Sequence, residues 1–73
     1  MAYNGHKNWN HWNVSLWLFN DEPLYWLMVF AVDEGPTRDD AAWFILSKVG
    51  KETPDGAPYT FASVRAALVG WEK

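Results

Sequence analysis

The chain has 73 residues, of which 49% are hydrophobic, with no cysteine and a formal net charge of −3. Its length gives one small domain, and its apolar content excludes a disordered chain, which would combine low hydrophobicity with high net charge. The lack of cysteine excludes a disulfide framework and a thiolate metal site and is typical of the reducing cytoplasm, while the acidic balance argues against a general nucleic-acid binder, which needs a basic surface.

Residues 1–8 are polar and predict an N-terminal arm before a first helix at residues 9–19. Asn8 or Asn10 can cap this helix, because a short side-chain oxygen accepts a hydrogen bond from a free backbone N–H. Apolar residues fall on two sides of the helix, so we expect it to be covered from two directions. Asn13 lies between these sides, and we expect its amide to bond the N-terminal arm or another helix. The first side carries Trp9, Trp12, Leu16 and Phe19, and the second carries Val14, Trp17 and Leu18.

The segment NDEP at residues 20–23 is a strong helix start. Its asparagine or aspartate can cap, its two acids favour the positive end of the helix dipole, and its proline is tolerated in the first turn. The following LYWLMVFAV, residues 24–32, is apolar all round, so we predict a helix at 21–34 as the central and most buried element. A buried strand is the alternative, because several of these residues prefer β structure. The helix start signal favours the helix.

A turn and a third helix follow. We expect Gly35 to end the second helix in a left-handed conformation and Pro36 to prevent its continuation. Thr37 and Asp40 resemble a capping box with aspartate in place of glutamate, which predicts a third helix at 38–49. Two aromatic residues fall off its main apolar stripe, so at least one of them should reach the surface or a neighbouring helix. The stripe carries Ala42, Ile45, Leu46 and Val49, and the two aromatic residues are Trp43 and Phe44.

The remaining chain is a loop and a last helix. In KETPDGAPY, residues 51–59, the sequence Pro54-Asp55-Gly56 predicts a turn, because proline fixes φ and glycine accepts positive φ. The last helix is predicted at 61–72, with Phe61, Val64, Leu68 and Trp71 on one stripe. The expected fold is therefore all-α, a compact bundle of three to four short helices in a single domain over residues 1–73.

Several short segments of the chain resemble a known family. They are Tyr3-Asn4-Gly5, Asn8, Trp12-Asn13-Val14, Leu16-Trp17, Asn20-Asp21-Glu22 and Leu24-Tyr25, with Thr53-Pro54-Asp55-Gly56 before the last helix. This pattern is similar to a family of small proteins of unknown function, known mainly from bacteriophages and other mobile elements, with the signature YNG…N…TWNVxLWxxNDExLY. The chain departs from it at His11, at Pro23 and in the more apolar residues 26–30. The resemblance implies a phage context, in which small proteins often bind and block host machinery.

No motif indicates an enzyme, a cofactor or a metal site. The serines lie outside a G-x-S-x-G motif, and no glycine-rich loop could cradle a phosphate. His6 and His11 are a poor pair for zinc, which needs three or four ligands. The longest apolar run is the nine residues 24–32, whereas a membrane span needs about 20, and the N-terminus lacks the pattern of a signal peptide. We therefore expect no catalytic residue, no metal, no cofactor and no membrane contact.

Aromatic residues are the first candidates for binding a partner. A domain this small can hardly enclose six tryptophans, four phenylalanines and three tyrosines, and exposed aromatic side chains are typical interface anchors. We expect Trp12, Trp17 and Trp71 in the core. The predicted partner-binding aromatic residues are Trp9, Trp26, Trp43 and Tyr25.

Acidic residues are the second candidates. Residues 20–47 contain six acids and one base, and four of the acids bracket the turn at residues 35–36. They are either a solvated corner of the domain or a patch that steers the protein towards a basic surface. The predicted partner-binding acids are Asp33, Glu34, Asp39 and Asp40.

These features predict a non-enzymatic protein-binding module. With the resemblance, the expectation is a phage-derived inhibitor in the host cytoplasm that blocks a host defence complex sterically, of the anti-CRISPR or anti-restriction type. Its partner would be a host protein or complex with a basic surface. The alternatives are a homo-oligomeric accessory phage protein, with the aromatic surface buried between copies, and a single-stranded nucleic-acid binder that stacks bases on tryptophan. The acidic balance makes direct nucleic-acid binding the weakest of the three.

Overall fold

The computed structural model describes residues 8–69, and this part of the chain forms four α-helices. Helix α1 packs against α2 and α4, and α3 packs against the same two helices, so the four form a closed ring in chain order. The predicted all-α fold is confirmed. The N-terminal arm lies outside the described residues except for Asn8. The helices are α1 (Trp9–Asn20), α2 (Glu22–Glu34), α3 (Arg38–Lys48) and α4 (Phe61–Ala67).

Three helices begin at the caps that the sequence predicts. In each, a side-chain oxygen of the cap accepts a hydrogen bond from the backbone N–H three residues later. The distances are 3.0 Å for Asn8, 3.3 Å for Asp21 and 3.1 Å for Thr37. Each such cap stabilises its helix by about 1 kcal/mol. Pro23 lies in the first turn of α2, where its missing N–H leaves no hydrogen bond unmade.

Gly35 ends α2, but the expected left-handed conformation is wrong. Its φ of −78° and ψ of 141° are extended backbone that any residue adopts. Glycine is required here by space, because a Cβ would lie 2.9 Å from the carbonyl oxygen of Ala31. This close approach lets the chain pass from α2 to α3 in only three residues, 35–37. The left-handed conformation occurs instead at Gly56, with a φ of 94°, in the turn that the sequence predicts.

The core is built from aliphatic side chains and not from tryptophan. Trp12 and Trp17, which we expected in the core, are half-buried, and Trp71 lies outside the described residues. None of the tryptophans between residues 8 and 69 is fully buried. Small residues at the helix contacts, such as Ala41 and Ala42, let the helices approach closely. The larger side chains at the centre of the core are Val14, Leu18, Met28, Ile45, Val64 and Leu68.

The expected central position of α2 is also wrong. In a ring of four helices each helix has only two neighbours, so one side of every helix faces solvent. On α2, Trp26 and Phe30 lie on that side and are 59% and 54% exposed. Helix α1 is covered from two directions, as expected, by α2 and α4, but Leu16 and Phe19 on its remaining side are exposed.

The connection from α3 to α4 is an ordered loop. The backbone N–H of Tyr59 donates to the carbonyl of Lys51 at 2.9 Å, and Glu52 and Pro58 form an antiparallel bridge. Helix α4 then ends at Ala67, so the predicted helix at 61–72 is wrong at residues 68 and 69, and residues 70–72 lie outside the described part of the chain. The N–H groups of residues 68 and 69 bond carbonyls only three residues back, which closes the helix in a tight turn.

Candidate functional site

The structure places the three predicted surface tryptophans at the surface. Trp26 is 59% exposed, Trp43 is 58% exposed and Trp9 is 38% exposed, so the prediction that these side chains reach solvent is confirmed. Tyr25 is half-buried, and its ring meets the ring of Trp26 edge-on with the centroids 5.4 Å apart. Their role in binding a partner remains a prediction.

Phe30 and Phe44 were missed as candidate residues. Phe30 is 54% exposed, and its ring centroid lies 5.6 Å from that of half-buried Phe44 on α3. The signal was present in the sequence, because Trp26 and Phe30 are four residues apart and therefore lie on the same side of a helix. It was overlooked because a helix that is apolar all round usually belongs in the core.

Trp43 continues this surface from α3 to α4. Its ring stacks on that of Phe61, with the centroids 4.5 Å apart and the planes 29° from parallel. Trp43 and Phe44 are neighbours on α3, and α3 packs between α2 and α4. An exposed aromatic surface therefore extends from α2 across α3. We call Trp26, Phe30, Trp43 and Phe44 the aromatic face. Trp9 is on α1, which packs against α2 but not against α3.

A shallow cleft of about 220 Å³ opens between α2 and α3 next to the paired phenylalanine rings. Its lining is mostly apolar, but two carboxylate residues contribute to it. Glu34 follows Phe30 by one turn of α2, and Asp40 precedes Phe44 by one turn of α3, so each helix places an acid beside a ring. We call this the α2–α3 cleft. Its lining residues are Phe30, Ala31, Glu34, Gly35, Asp40 and Phe44.

The four predicted acids are all exposed, but the structure divides them. Glu34 and Asp40 share the α2–α3 cleft, whereas Asp33 does not line it. Asp39 is directed to α4, where its Oδ1 accepts a hydrogen bond from Nε of Arg65 at 2.6 Å. One of the four acids is thus paired with a base from another helix, while Glu34 and Asp40 lie at the α2–α3 cleft.

A polar cluster on the other side of the molecule attaches the α3–α4 loop to α1. Asn13 is buried on α1, and its Nδ2 donates to Oδ2 of Asp55 at 2.9 Å. Its Oδ1 accepts a hydrogen bond from the hydroxyl of Thr53 at 2.6 Å. The indole Nε1 of Trp17 donates to the same Oδ2 of Asp55 at 2.9 Å. We expected Asn13 to bond the N-terminal arm or another helix, and its bonds to the loop correct that expectation.

These hydrogen bonds act on the charge of Asp55. The bond from Asn13, followed by that from Trp17, lowers the pKa of the Asp55 carboxyl below its usual value, against a smaller opposing effect of burial. Both donors stabilise the ionised form. The cluster therefore stabilises the conformation of the α3–α4 loop. It does not place a nucleophile beside a base, so its geometry does not indicate catalysis.

A family model described as a family of unknown function (DUF7249) matches residues 1–69. The chain belongs to this family. Comparison with curated proteins and with solved structures gives no match. The predicted membership of an uncharacterised family is thereby confirmed. A phage origin remains a prediction. Because the function of the family is unknown, the function of this member has to be argued from its own surface.

In this member of the family, hydrogen bonds join three of the segments that carried the resemblance. Asn13 and Trp17 of α1 hold Thr53 and Asp55 of the loop through the hydrogen bonds described above. These recognisable residues are therefore explained by the fold. The aromatic face and the α2–α3 cleft lie mostly outside those segments and are the surfaces that remain to be explained.

Two further properties of the described part of the chain bear on its chemistry. Between residues 8 and 69, no three histidine, aspartate, glutamate or cysteine side chains are grouped so that they could hold a metal ion. No helix in the same range combines the length and the apolar character that crossing a membrane requires.

Proposed function

We propose that the protein is a non-enzymatic binding module that docks on another protein through the aromatic face. The observation that carries the proposal is the exposure of Trp26, Phe30 and Trp43, each of which is more than half exposed. Burying apolar surface is worth roughly 25 cal/mol per Å², and tryptophan is one of the residue types enriched among interface anchors. These side chains and Phe44 lie on two adjoining helices, joined by the contact between Phe30 and Phe44.

The acids beside the aromatic face favour a basic partner. Glu34 and Asp40 line the cleft next to Phe30 and Phe44, and the net charge of the chain is −3. Opposite charges on two surfaces raise the rate of association and disfavour wrong partners, with an effect that salt weakens. In this proposal the aromatic residues provide the affinity and the acids provide the steering.

The finer identity of the partner rests on the resemblance to phage proteins. We propose that this module blocks a host defence complex in the host cytoplasm, of the anti-CRISPR or anti-restriction type, by covering a basic groove that normally receives nucleic acid. Such a groove has the positive charge that the acids would meet. Steric blocking needs no catalytic residue, and the structure offers an extended contact surface for it.

Capture of a partner tests the proposal. The wild-type protein and a Trp26→Ala, Trp43→Ala variant would each be used as bait in lysate of a bacterial host. A Leu16→Ala, Phe19→Ala variant is the matched control, because it removes two exposed apolar side chains from α1, away from α3. We expect the wild type and the control to retain a partner that the tryptophan variant loses. Retrieval of no partner by the wild type, or equal retrieval by all three, would contradict the proposal.

Self-association is a second candidate that the same surface favours. A second copy could cover Trp26, Phe30 and Trp43, which would explain their exposure without a host partner. Light scattering at micromolar concentration separates the two: a stable dimer of the wild type that becomes monomeric in the Trp26→Ala, Trp43→Ala variant would support self-association. A monomeric wild type would exclude it.

A further inference from the structure

We propose that the α2–α3 cleft binds one arginine side chain presented by the partner. This inference names the partner chemistry at the proposed docking surface, and in that sense rests on the proposed function. The cleft of about 220 Å³ is smaller than the roughly 300–1,000 Å³ of typical small-molecule sites. Its size therefore suits a single side chain and not a cofactor.

The charges at the cleft select a cation. Glu34 and Asp40 both line it, whereas no basic residue among residues 8–69 does. Asp40 accepts a hydrogen bond from the hydroxyl of Thr37 at 3.0 Å, which uses one of the roughly four acceptor positions of a carboxylate. The carboxylate of Glu34 forms no hydrogen bond or ion pair with other residues in the range 8–69. The cleft thus holds two carboxylates with acceptor positions left for an incoming donor.

The aromatic lining selects the same kind of ligand. The faces of aromatic rings attract cations, and Phe44 already does so within the chain, because Nζ of Lys48 lies 5.4 Å from its ring centroid. Lys48 follows Phe44 by one turn of α3, while Asp40 precedes it by one turn, so the lysine does not line the cleft. A second cation arriving from the cleft would meet the rings of Phe30 and Phe44 together with two carboxylates.

Arginine fits this combination better than lysine. Its guanidinium is planar, stacks on aromatic rings and carries five N–H donors in a fixed fork, which can serve two carboxylates at once. The ammonium of lysine is compact and more strongly hydrated, so it would lose more hydration in a mostly apolar cleft. The shallow cleft, with rings on its walls and acids beside them, therefore favours the guanidinium.

A titration with blocked amino acids tests the cleft by itself. The probe is Nα-acetyl-arginine N-methylamide, and its neutral counterpart is the citrulline analogue, with the corresponding lysine compound as a third ligand. Two-dimensional NMR of the ¹⁵N-labelled protein would follow each titration to tens of millimolar. We expect the arginine probe to shift the amide signals of Phe30, Glu34, Asp40 and Phe44, the citrulline analogue to leave them unchanged, and lysine to bind more weakly. Equal shifts with citrulline, or binding by lysine that is as tight, would overturn the assignment.

A Glu34→Gln variant provides the decisive comparison, because it keeps the shape of the side chain and removes its charge. We expect the arginine probe to bind this variant about threefold or more weakly, the effect of losing one partly exposed charge contact. The control is Glu22→Gln, which removes an exposed acid from the other end of α2. Equal affinity of the Glu34 variant and the wild type would overturn the inference. If the probe fails to bind while the Trp26→Ala, Trp43→Ala variant still loses its partner, the cleft assignment falls and the proposed function stands.

Discussion

Asn13 on α1 and Asp55 in the α3–α4 loop are joined by a side-chain hydrogen bond of 2.9 Å across 42 residues of sequence. The side-chain amide of Asn13 is buried, and its oxygen accepts a hydrogen bond from the hydroxyl of Thr53 at 2.6 Å. That hydroxyl in turn accepts from the backbone N–H of Ala57 at 3.1 Å. One buried amide thus holds both sides of the turn that precedes α4, and so helps to fix α4 against α1.

Replacing Asn13 by alanine should destabilise the fold. The change removes two hydrogen bonds and leaves the hydroxyl hydrogen of buried Thr53 without its acceptor, so we expect a loss of about 2–3 kcal/mol in the free energy of unfolding. Since 1 kcal/mol shifts the melting temperature of a domain this small by roughly 4–8 °C, thermal unfolding followed by circular dichroism would resolve it.

Asn20 offers the matched control for this substitution. It lies at the end of the same helix and is exposed, and its amide donates to the carbonyl of Leu16 at 2.8 Å. Asn20→Ala should change the free energy of unfolding by less than about 0.5 kcal/mol, as surface substitutions usually do. Equal destabilisation by the two variants would show that the Asn13 cluster has no special role.

Asp55 should give the fold a specific sensitivity to acid. Its pKa is lowered in the folded protein, chiefly by the hydrogen bond from Asn13 and then by that from Trp17. A group with a depressed folded pKa contributes stability above its unfolded pKa, which is about 3.9 for aspartate, and this contribution is lost as the pH falls through the folded pKa. We therefore expect the stability difference between wild type and Asp55→Asn to be largest above about pH 4 and to shrink below it.

Urea unfolding between pH 2.5 and pH 7 would measure this difference. The control is Glu52→Gln, which removes a charge from the same loop but none of the hydrogen bonds to α1. Its stability relative to wild type should lack the step that Asp55→Asn shows. A difference between wild type and Asp55→Asn that is independent of pH would mean that the carboxylate charge is not what these hydrogen bonds stabilise.

The sequence predicted the local features of this fold well, because each depends on residues a few positions apart. Asn8, Asp21 and Thr37 cap their helices and Gly56 adopts positive φ, and in each case the chemistry of the residue itself requires that conformation. Trp43 was also predicted to reach the surface or a neighbouring helix, since it falls off the apolar stripe of α3. The structure shows it exposed and stacked on Phe61.

The features that the sequence did not predict depend on which helices become neighbours. Trp26 was predicted to reach solvent, but the apolar run in α2 did not indicate the same for Phe30, because a helix that is apolar all round does not show which of its sides will face solvent. The pairing of Phe30 with Phe44, and of Asn13 with Asp55, likewise joins residues that are distant in the chain. The α2–α3 cleft is a product of such a pairing, so it could not be located before the helices were placed.

Gly35→Ala should be destabilising even though its backbone conformation is ordinary. A Cβ at this position would lie 2.9 Å from the carbonyl oxygen of Ala31 and 3.4 Å from the backbone nitrogen of Ala41. Because both are backbone atoms, α2 and α3 would have to shift, and we expect a loss of about 1–3 kcal/mol in the free energy of unfolding, typical of overpacking. Thermal unfolding would measure it.

Gly50→Ala is the control for that substitution. A Cβ there would meet no atom within 4 Å, so the added methyl group mainly restricts the unfolded chain. We expect a gain of about 0.4–1 kcal/mol. If the two variants were equally stable, the close contact at Gly35 would not determine the turn between α2 and α3.

Alanine substitutions of Trp26 and Trp43 should change the free energy of unfolding by different amounts, but both should weaken partner binding. Trp26 is 59% exposed and its ring contact is with its chain neighbour Tyr25, so Trp26→Ala should lower the free energy of unfolding by less than about 1 kcal/mol. Trp43 is equally exposed but stacks on Phe61 at 4.5 Å, and such aromatic pairs contribute about 0.5–1.5 kcal/mol beyond their buried area. We therefore expect Trp43→Ala to be the more destabilising of the two in urea unfolding.

Both single variants should nevertheless weaken capture of the partner from host lysate, because interface anchors act through the surface they offer and not through the stability of their own domain. Trp43→Phe is a useful companion, since it keeps a ring that can stack on Phe61 while reducing the exposed aromatic surface. Partner capture that followed the stability of the variants, with Trp26→Ala behaving as wild type, would indicate that the aromatic face stabilises the fold and binds nothing.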